Sequence, residues 1–113
     1  MLKNIKQYLL NNIFRNMESY DINMEELKQK QTEGAIIIDV RATQEFKEGH
    51  IEGAINIPYY NICKKANSIL LNQDNEIIVY CEAGSRSRKA YKTLKKMGYS
   101  NVYNLYGGIE NWT

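Results

Sequence analysis

The sequence predicts an α/β fold in which a parallel sheet is covered by helices on both faces. Two observations carry that expectation. The runs AIIIDV (Ala35 to Val40) and EIIVY (Glu76 to Tyr80) are apolar without alternation, as strands are when both faces of their sheet are buried. Helical patterns lie between and after these runs, and alternating strands and helices point to a parallel sheet. With 113 residues the chain has room for one domain and a short appendage.

The elements follow in chain order. Residues 1–16 predict an amphipathic helical extension, with Leu2, Ile5, Leu9 and Ile13 at helical spacing and Lys3, Lys6 and Arg15 around them. The domain proper is expected over residues 17–113. SYDIN reads as a short edge strand. Asn23 is placed to cap the next helix, and Glu26, three residues on, completes a capping box. That helix, MEELKQKQTEG, ends at Gly34. After AIIIDV come a short helix and turn in ATQEFKEGHIEGA, a short strand in AINIP, and a helical stretch from Tyr59 towards Leu71. EIIVY leads into a cysteine loop. Ala90, Tyr91, Leu94 and Met97 then form an apolar helical stripe, with Lys89, Lys92, Lys95 and Lys96 on the wet side and Gly98 at the end. NVYNLYGG supplies a last strand and a turn.

Composition removes several function classes. A net charge of +2 is too small to argue for nucleic acid or an anionic membrane surface. No apolar run reaches transmembrane length. The first residues, MLKNIKQYLLNNIF, lack the unbroken apolar stretch and cleavage site of a secretory signal, so a cytoplasmic location is expected. Cys63 and Cys81 do not form a C-x-x-C pair, and His50 has no metal-ligand spacing to either. No metal and no cofactor are therefore expected, and a reducing compartment leaves each cysteine to thiol chemistry or inert burial.

The stretch VYCEAGSRSRKAY, Val79 to Tyr91, carries the chemistry. Ligands of open parallel sheets bind beyond the carboxyl ends of the strands, and Cys81 directly follows one. The helix after the loop turns its free N–H groups and positive dipole end towards that point, which makes an anion cradle. The same geometry favours a thiolate. Glu82, Ala83, Gly84, Ser85 and Arg86 form the substrate-binding loop, and Gly84 lets its amides turn inward. Arg86 is a cation near a helix N-terminus, which is locally unfavourable, so a compensating partner is expected. Asp39 ends the neighbouring strand, and an Asp39–Arg86 pair would brace the loop. Arg86 facing the substrate is the alternative. Ser87 is also assigned to bracing.

These residues resemble the rhodanese-like family of sulfurtransferases, of the small single-domain type, from about Tyr20 to Trp112. IIIDVRATQEFKEGHIEGAINIP is similar to the family's first signature, IVYCEAGSRS to its active-site loop, and NVYNLYGGIENW to its closing segment. The resemblance implies a five-stranded parallel sheet of order 1-5-4-2-3 flanked by helices. It also implies that Cys81 carries a sulfane sulfur as a persulfide. The donor would be thiosulfate, a persulfide or a polysulfide. The acceptor would be a thiol, cyanide or a protein persulfide carrier. A non-catalytic binding module of the family is one alternative, although such modules usually lack the cysteine. A phosphatase or arsenate reductase of the same fold is a weaker one, because only four residues separate Cys81 from Arg86 and those enzymes use a longer loop. Glu82 departs from relatives that favour thiosulfate, since a carboxylate beside an anionic donor is repulsive.

The remaining residues read as structural. His50 is expected to be hydrogen-bonded, Arg41 and Glu45 to form a local ion pair, and Gly107 and Gly108 to permit a tight turn. Trp112 is expected to pack on the domain and Cys63 to lie in the core, with a resolving-thiol role as its alternative.

Overall fold

The computed structural model describes residues 17–112. The helical extension expected over residues 1–16 lies outside them. In chain order the elements are β1 (Asp21–Ile22), α1 (Met24–Thr32), β2 (Ile36–Asp39), α2 (Thr43–Glu48), β3 (Ile55–Asn56), a 3₁₀ turn (Tyr59–Asn61), α3 (Ile62–Ile69), β4 (Glu76–Tyr80), α4 (Ser85–Lys96), β5 (Asn101–Leu105) and a second 3₁₀ turn (Ile109–Trp112). The five strands form one sheet in the order β1-β5-β4-β2-β3, and every pairing is parallel.

The unbroken apolar runs become the central strands. Ile77 and Val79 face one side with Ile38, against α3 and α4. Ile78 and Tyr80 face the other with Ile37, against Leu27 of α1. A strand filled on both faces cannot alternate with polar residues. The strand AINIP contributes only Ile55 and Asn56, at the sheet edge beside β2.

Local signals set the helix ends. Asn23 Oδ1 accepts the Glu26 N–H at 2.8 Å, and Glu26 Oε1 accepts the Asn23 N–H at 3.1 Å. This reciprocal box satisfies two otherwise unpaired groups and contributes about 1 kcal/mol. In α4 Ala90 and Leu94 are buried, Tyr91 and Met97 pack at the margin, and Lys95 and Lys96 sit in the last turn, where the helix dipole favours cations.

Cys63 departs from expectation: it is exposed, not core. Helix α3 buries Ile62 and Ala66, four residues apart on one face. Cys63 follows Ile62 by one residue, a rotation of about 100° on the helix, and is carried out to solvent. Trp112 does pack on the cluster around Tyr80, and its Nε1 donates to the Tyr106 carbonyl at 3.0 Å. No helix among the described residues is long and apolar enough to cross a membrane.

Candidate active site

Cys81 emerges directly from β4 at the carboxyl edge of the sheet, in the gap before α4. Its backbone is tied down from two sides. Val40 N–H donates to the Tyr80 carbonyl at 2.9 Å, and the closing 3₁₀ turn supplies Ile109 N–H to the Cys81 carbonyl at 2.9 Å and Glu110 N–H to the Glu82 carbonyl at 3.1 Å. Close approach of that turn requires Gly108, because a Cβ there would fall 2.2 Å from the Glu82 carbonyl oxygen. Gly84, with φ of 113°, makes the left-handed step that turns the loop into α4.

The loop closes on the sulfur. Gly84 N–H donates to Cys81 Sγ at 3.0 Å and Ser87 N–H at 3.4 Å. Ser87 Oγ lies 3.4 Å from Sγ and donates to the Gly84 carbonyl at 3.1 Å. Ser87 thus joins the loop's backbone to the sulfur and is fully buried. Cys81 itself is 1% exposed. A shallow cavity of about 440 Å³ opens on the outer flank of the loop, lined by Ala83, Gly84, Ser85, Arg88, Tyr106 and Gly107. Arg88 is held at its rim by Asp21 at 2.8 Å and the Tyr20 hydroxyl at 2.9 Å.

The expected Asp39–Arg86 pair is not formed. Asp39 is fully buried, and Arg41, two residues later, curls back onto it. Arg41 gives it the backbone N–H at 2.9 Å, Nε at 3.1 Å and Nη2 at 2.8 Å. The Tyr80 hydroxyl adds a fourth donor at 2.7 Å. A buried carboxylate with four donors has no face left for Arg86. Hydrogen bonding to Asp39 pushes the Arg41 pKa up, and burial followed by the bond to Asp39 does the same to Tyr80.

Arg86 instead meets Glu45 on α2, with Nη1 at 2.6 Å and Nη2 at 3.0 Å. The local Arg41–Glu45 pair expected from their spacing is therefore absent as well: Arg41 points inward and Glu45 points to the loop. The Arg86 bonds hold the Glu45 carboxyl down at about 2, helped by the Ala42 amide. The remaining Arg41 nitrogen, Nη1, reaches Glu82 Oε1 at 3.1 Å, so Glu82 does not stand unpaired beside the cysteine. Sequence reasoning missed Glu45, Tyr80 and Arg41 as loop partners. The Asp-x-Arg spacing of Asp39 and Arg41 was the available signal for one of them.

Two further residues complete the surroundings. Asn56 Nδ2 donates to the carbonyls of Asp39 and Arg41 at 3.0 Å each and holds the end of β2. His50 lies outside the loop, its Nδ1 2.9 Å from the Phe46 carbonyl and its ring stacked on Phe46.

Known proteins share this architecture. The profile of the rhodanese-like domain matches residues 23–113. YrkF of Bacillus subtilis, whose name marks it as a candidate sulfur carrier protein, is 39% identical over 95 residues, 82% of this chain and 50% of that one. The chain thus spans about half the length of that relative. A sulfurtransferase of Allochromatium vinosum is 34% identical over 94 residues, covering 81% of this chain and 86% of its own. Among solved structures, the human single-domain sulfurtransferase TSTD1 superposes with a TM-score of 0.73 at 25% identity, over 84% of this chain and 96% of that one.

Proposed function

The chain belongs to the rhodanese-like domain family, and on that premise we propose that it is a sulfurtransferase carrying a sulfane sulfur on Cys81 between a donor and a thiophilic acceptor. The observation that carries this reading is the convergence of the Gly84 and Ser87 amides on Cys81 Sγ. Such donors stabilise an anion without transferring a proton. In the first half-reaction the Cys81 thiolate attacks the sulfane sulfur of the donor. With thiosulfate the new S–S bond forms as the old one breaks, and sulfite leaves with the electron pair. In the second half-reaction an acceptor thiolate takes the outer sulfur of Cys81–S–SH and the Cys81 thiolate is restored. Two successive displacements predict ping-pong kinetics. Ser87 fits this cycle: its hydroxyl can accept from the thiol or rotate to donate to the thiolate.

Donors are small sulfane-sulfur compounds, and acceptors are thiols, cyanide or a protein persulfide carrier. Relatives named for sulfur transfer and sulfur carriage support that range. A cytoplasmic location suits a free thiol nucleophile.

The test is intact mass after incubation with sulfane donors. The wild type should gain about 32 Da, one sulfur atom, and Cys63→Ser should gain it too. Cys81→Ser should gain nothing. An adduct that survives in Cys81→Ser and disappears in Cys63→Ser would move the chemistry to the exposed thiol and overturn the reading.

A further inference from the structure

The charges around the loop do not suit every sulfane donor. Five ionisable side chains gather there: Asp39, Glu45, Glu82, Arg41 and Arg86. They are linked as two ion-paired sets, Asp39–Arg41–Glu82 and Glu45–Arg86. Glu82 directly follows Cys81 and Arg86 lies in the same loop at the start of α4, so the two sets flank one sulfur. Three carboxylates against two guanidinium groups leave this neighbourhood with one net negative charge.

Neither arginine is free to receive an anion. Arg41 is 6% exposed, and its nitrogens are committed to Asp39, Glu82 and the Gly49 carbonyl. Arg86 presents the edge of its guanidinium, both terminal nitrogens, to the two oxygens of Glu45. A carboxylate bound in this forked manner occupies the face that a sulfonate would use. The amides at Cys81 can hold one anionic sulfur. The rest of a dianion such as thiosulfate would meet the carboxylates of Glu82 and Glu45 with both of their arginines already committed, and Arg88, at the rim of the cavity on the loop's outer flank, is itself paired with Asp21 at 2.8 Å.

We propose that the site selects an organic persulfide, R–S–SH, in which R carries no net negative charge, over inorganic thiosulfate. Glu82 and Glu45 are the specificity-determining residues, because each removes one arginine from anion binding. This rests on the sulfurtransferase reading above. The step is balanced: the Cys81 thiolate attacks the outer sulfur of R–S–SH, the Cys81 S–S bond forms, the donor S–S bond breaks, and RS⁻ leaves with the electron pair. The proton stays on the transferred sulfur.

The experiment compares cysteine persulfide with thiosulfate as donors at low salt. Loading of Cys81 is followed by intact mass, and kcat/KM is measured with one common acceptor thiol. The wild type should favour cysteine persulfide at least tenfold. Glu82→Gln, which releases Arg41 Nη1, should raise kcat/KM for thiosulfate roughly three- to thirtyfold. The ratio of thiosulfate to cysteine persulfide kcat/KM should rise with that gain, and the gain should shrink as salt is added. Glu45→Gln, which releases Arg86, should raise the same ratio, a comparison from which any shared loosening of the loop cancels. Equal use of both donors by the wild type, or no rise in the thiosulfate-to-persulfide ratio in either variant, overturns the selectivity while leaving the sulfurtransferase intact. Failure of both donors to load Cys81 overturns the underlying reading and the selectivity with it.

Discussion

Arg86 grips both carboxylate oxygens of Glu45, at 2.6 and 3.0 Å, across 41 residues of sequence. The pair fastens the first turn of α4 to α2, a helix of six residues with no buried side chain of its own. Arg86 also lies in the loop that closes on Cys81. Whatever holds its side chain therefore helps to fix the orientation of the amides around the sulfur.

A double-mutant cycle with Glu45→Gln and Arg86→Gln should show this link. Both side chains are about a third exposed, at 34% and 29%, so solvent screening limits the pair to roughly 0.5–1 kcal/mol of coupling in stability. The same cycle with Asp39→Asn and Arg86→Gln should be additive within about 0.3–0.5 kcal/mol, because the two residues share no bond. Coupling in the second cycle and not the first would mean that the pairing is misassigned.

Glu45 also makes a pH prediction. Its carboxyl is lowered from 4.5 to about 2 by the Arg86 hydrogen bonds. A depressed carboxylate stabilises the folded state fully above the unfolded value of 4.5 and loses that contribution as pH falls towards about 2. A carboxyl-carbon NMR titration should place the Glu45 midpoint near 2. In Arg86→Gln it should move up towards the ordinary value, short of it because the Ala42 amide still donates at 3.1 Å. An unchanged midpoint in Arg86→Gln would show that the arginine is not the cause.

Gly108 tests whether the closing turn shapes the loop. Alanine there would place Cβ 2.2 Å from the Glu82 carbonyl oxygen, at φ of 75°. The left-handed backbone alone costs an L residue about 1–2 kcal/mol, and the clash is with backbone that cannot rotate away. Gly108→Ala should lose at least ~2 kcal/mol of stability and slow sulfur loading of Cys81. Gly34→Ala is the control: its φ is 101° with nothing within 4 Å of the new Cβ, so it should lose stability without slowing loading. Equal effects on loading would detach the turn from the site.

The sequence made the periodic and local features legible. Asn23 and Glu26 announced their capping box, and the unbroken runs around Ile37 and Ile78 announced central strands. The order of the sheet came from family resemblance, and periodicity alone would not have supplied it. The loop was readable because Cys81, Gly84 and the start of α4 are consecutive. Ion-pair partners were not. Spacing along a helix suggests the nearest oppositely charged residue, yet Arg41 turned inward to a buried carboxylate and freed Glu45 for Arg86. That choice depends on where β2 and α4 place their ends in space. Cys63 lies at the surface for a simpler reason, since an apolar neighbour one residue away does not share its helix face.

The buried cluster of Asp39, Arg41 and Tyr80 gives the sharpest contrast between two conservative changes. The Tyr80 hydroxyl donates to Asp39 at 2.7 Å and accepts the Ile51 N–H at 3.0 Å. Tyr80→Phe removes both bonds and keeps the ring, which fills the core beside Ile37 and Leu105. It leaves a part-buried N–H without its acceptor, at a cost of about 1–3 kcal/mol. Asp39 still has three bonds from Arg41, so its charge stays balanced. Asp39→Asn is different. It removes the charge that compensates Arg41, which is 6% exposed, and the exposed partner Glu82 cannot replace a fully buried one. Breaking a buried pair from one side costs about 3–5 kcal/mol. Urea unfolding should therefore rank Asp39→Asn below Tyr80→Phe by at least ~1 kcal/mol. Sulfur loading of Cys81 should survive in Tyr80→Phe, because the Arg41–Glu82 contact beside the loop does not pass through the hydroxyl. If the two variants unfold alike, Arg41 must find enough compensation in Glu82 and the Gly49 carbonyl. The arginine, and not the aspartate, would then be the group that organises the end of β2.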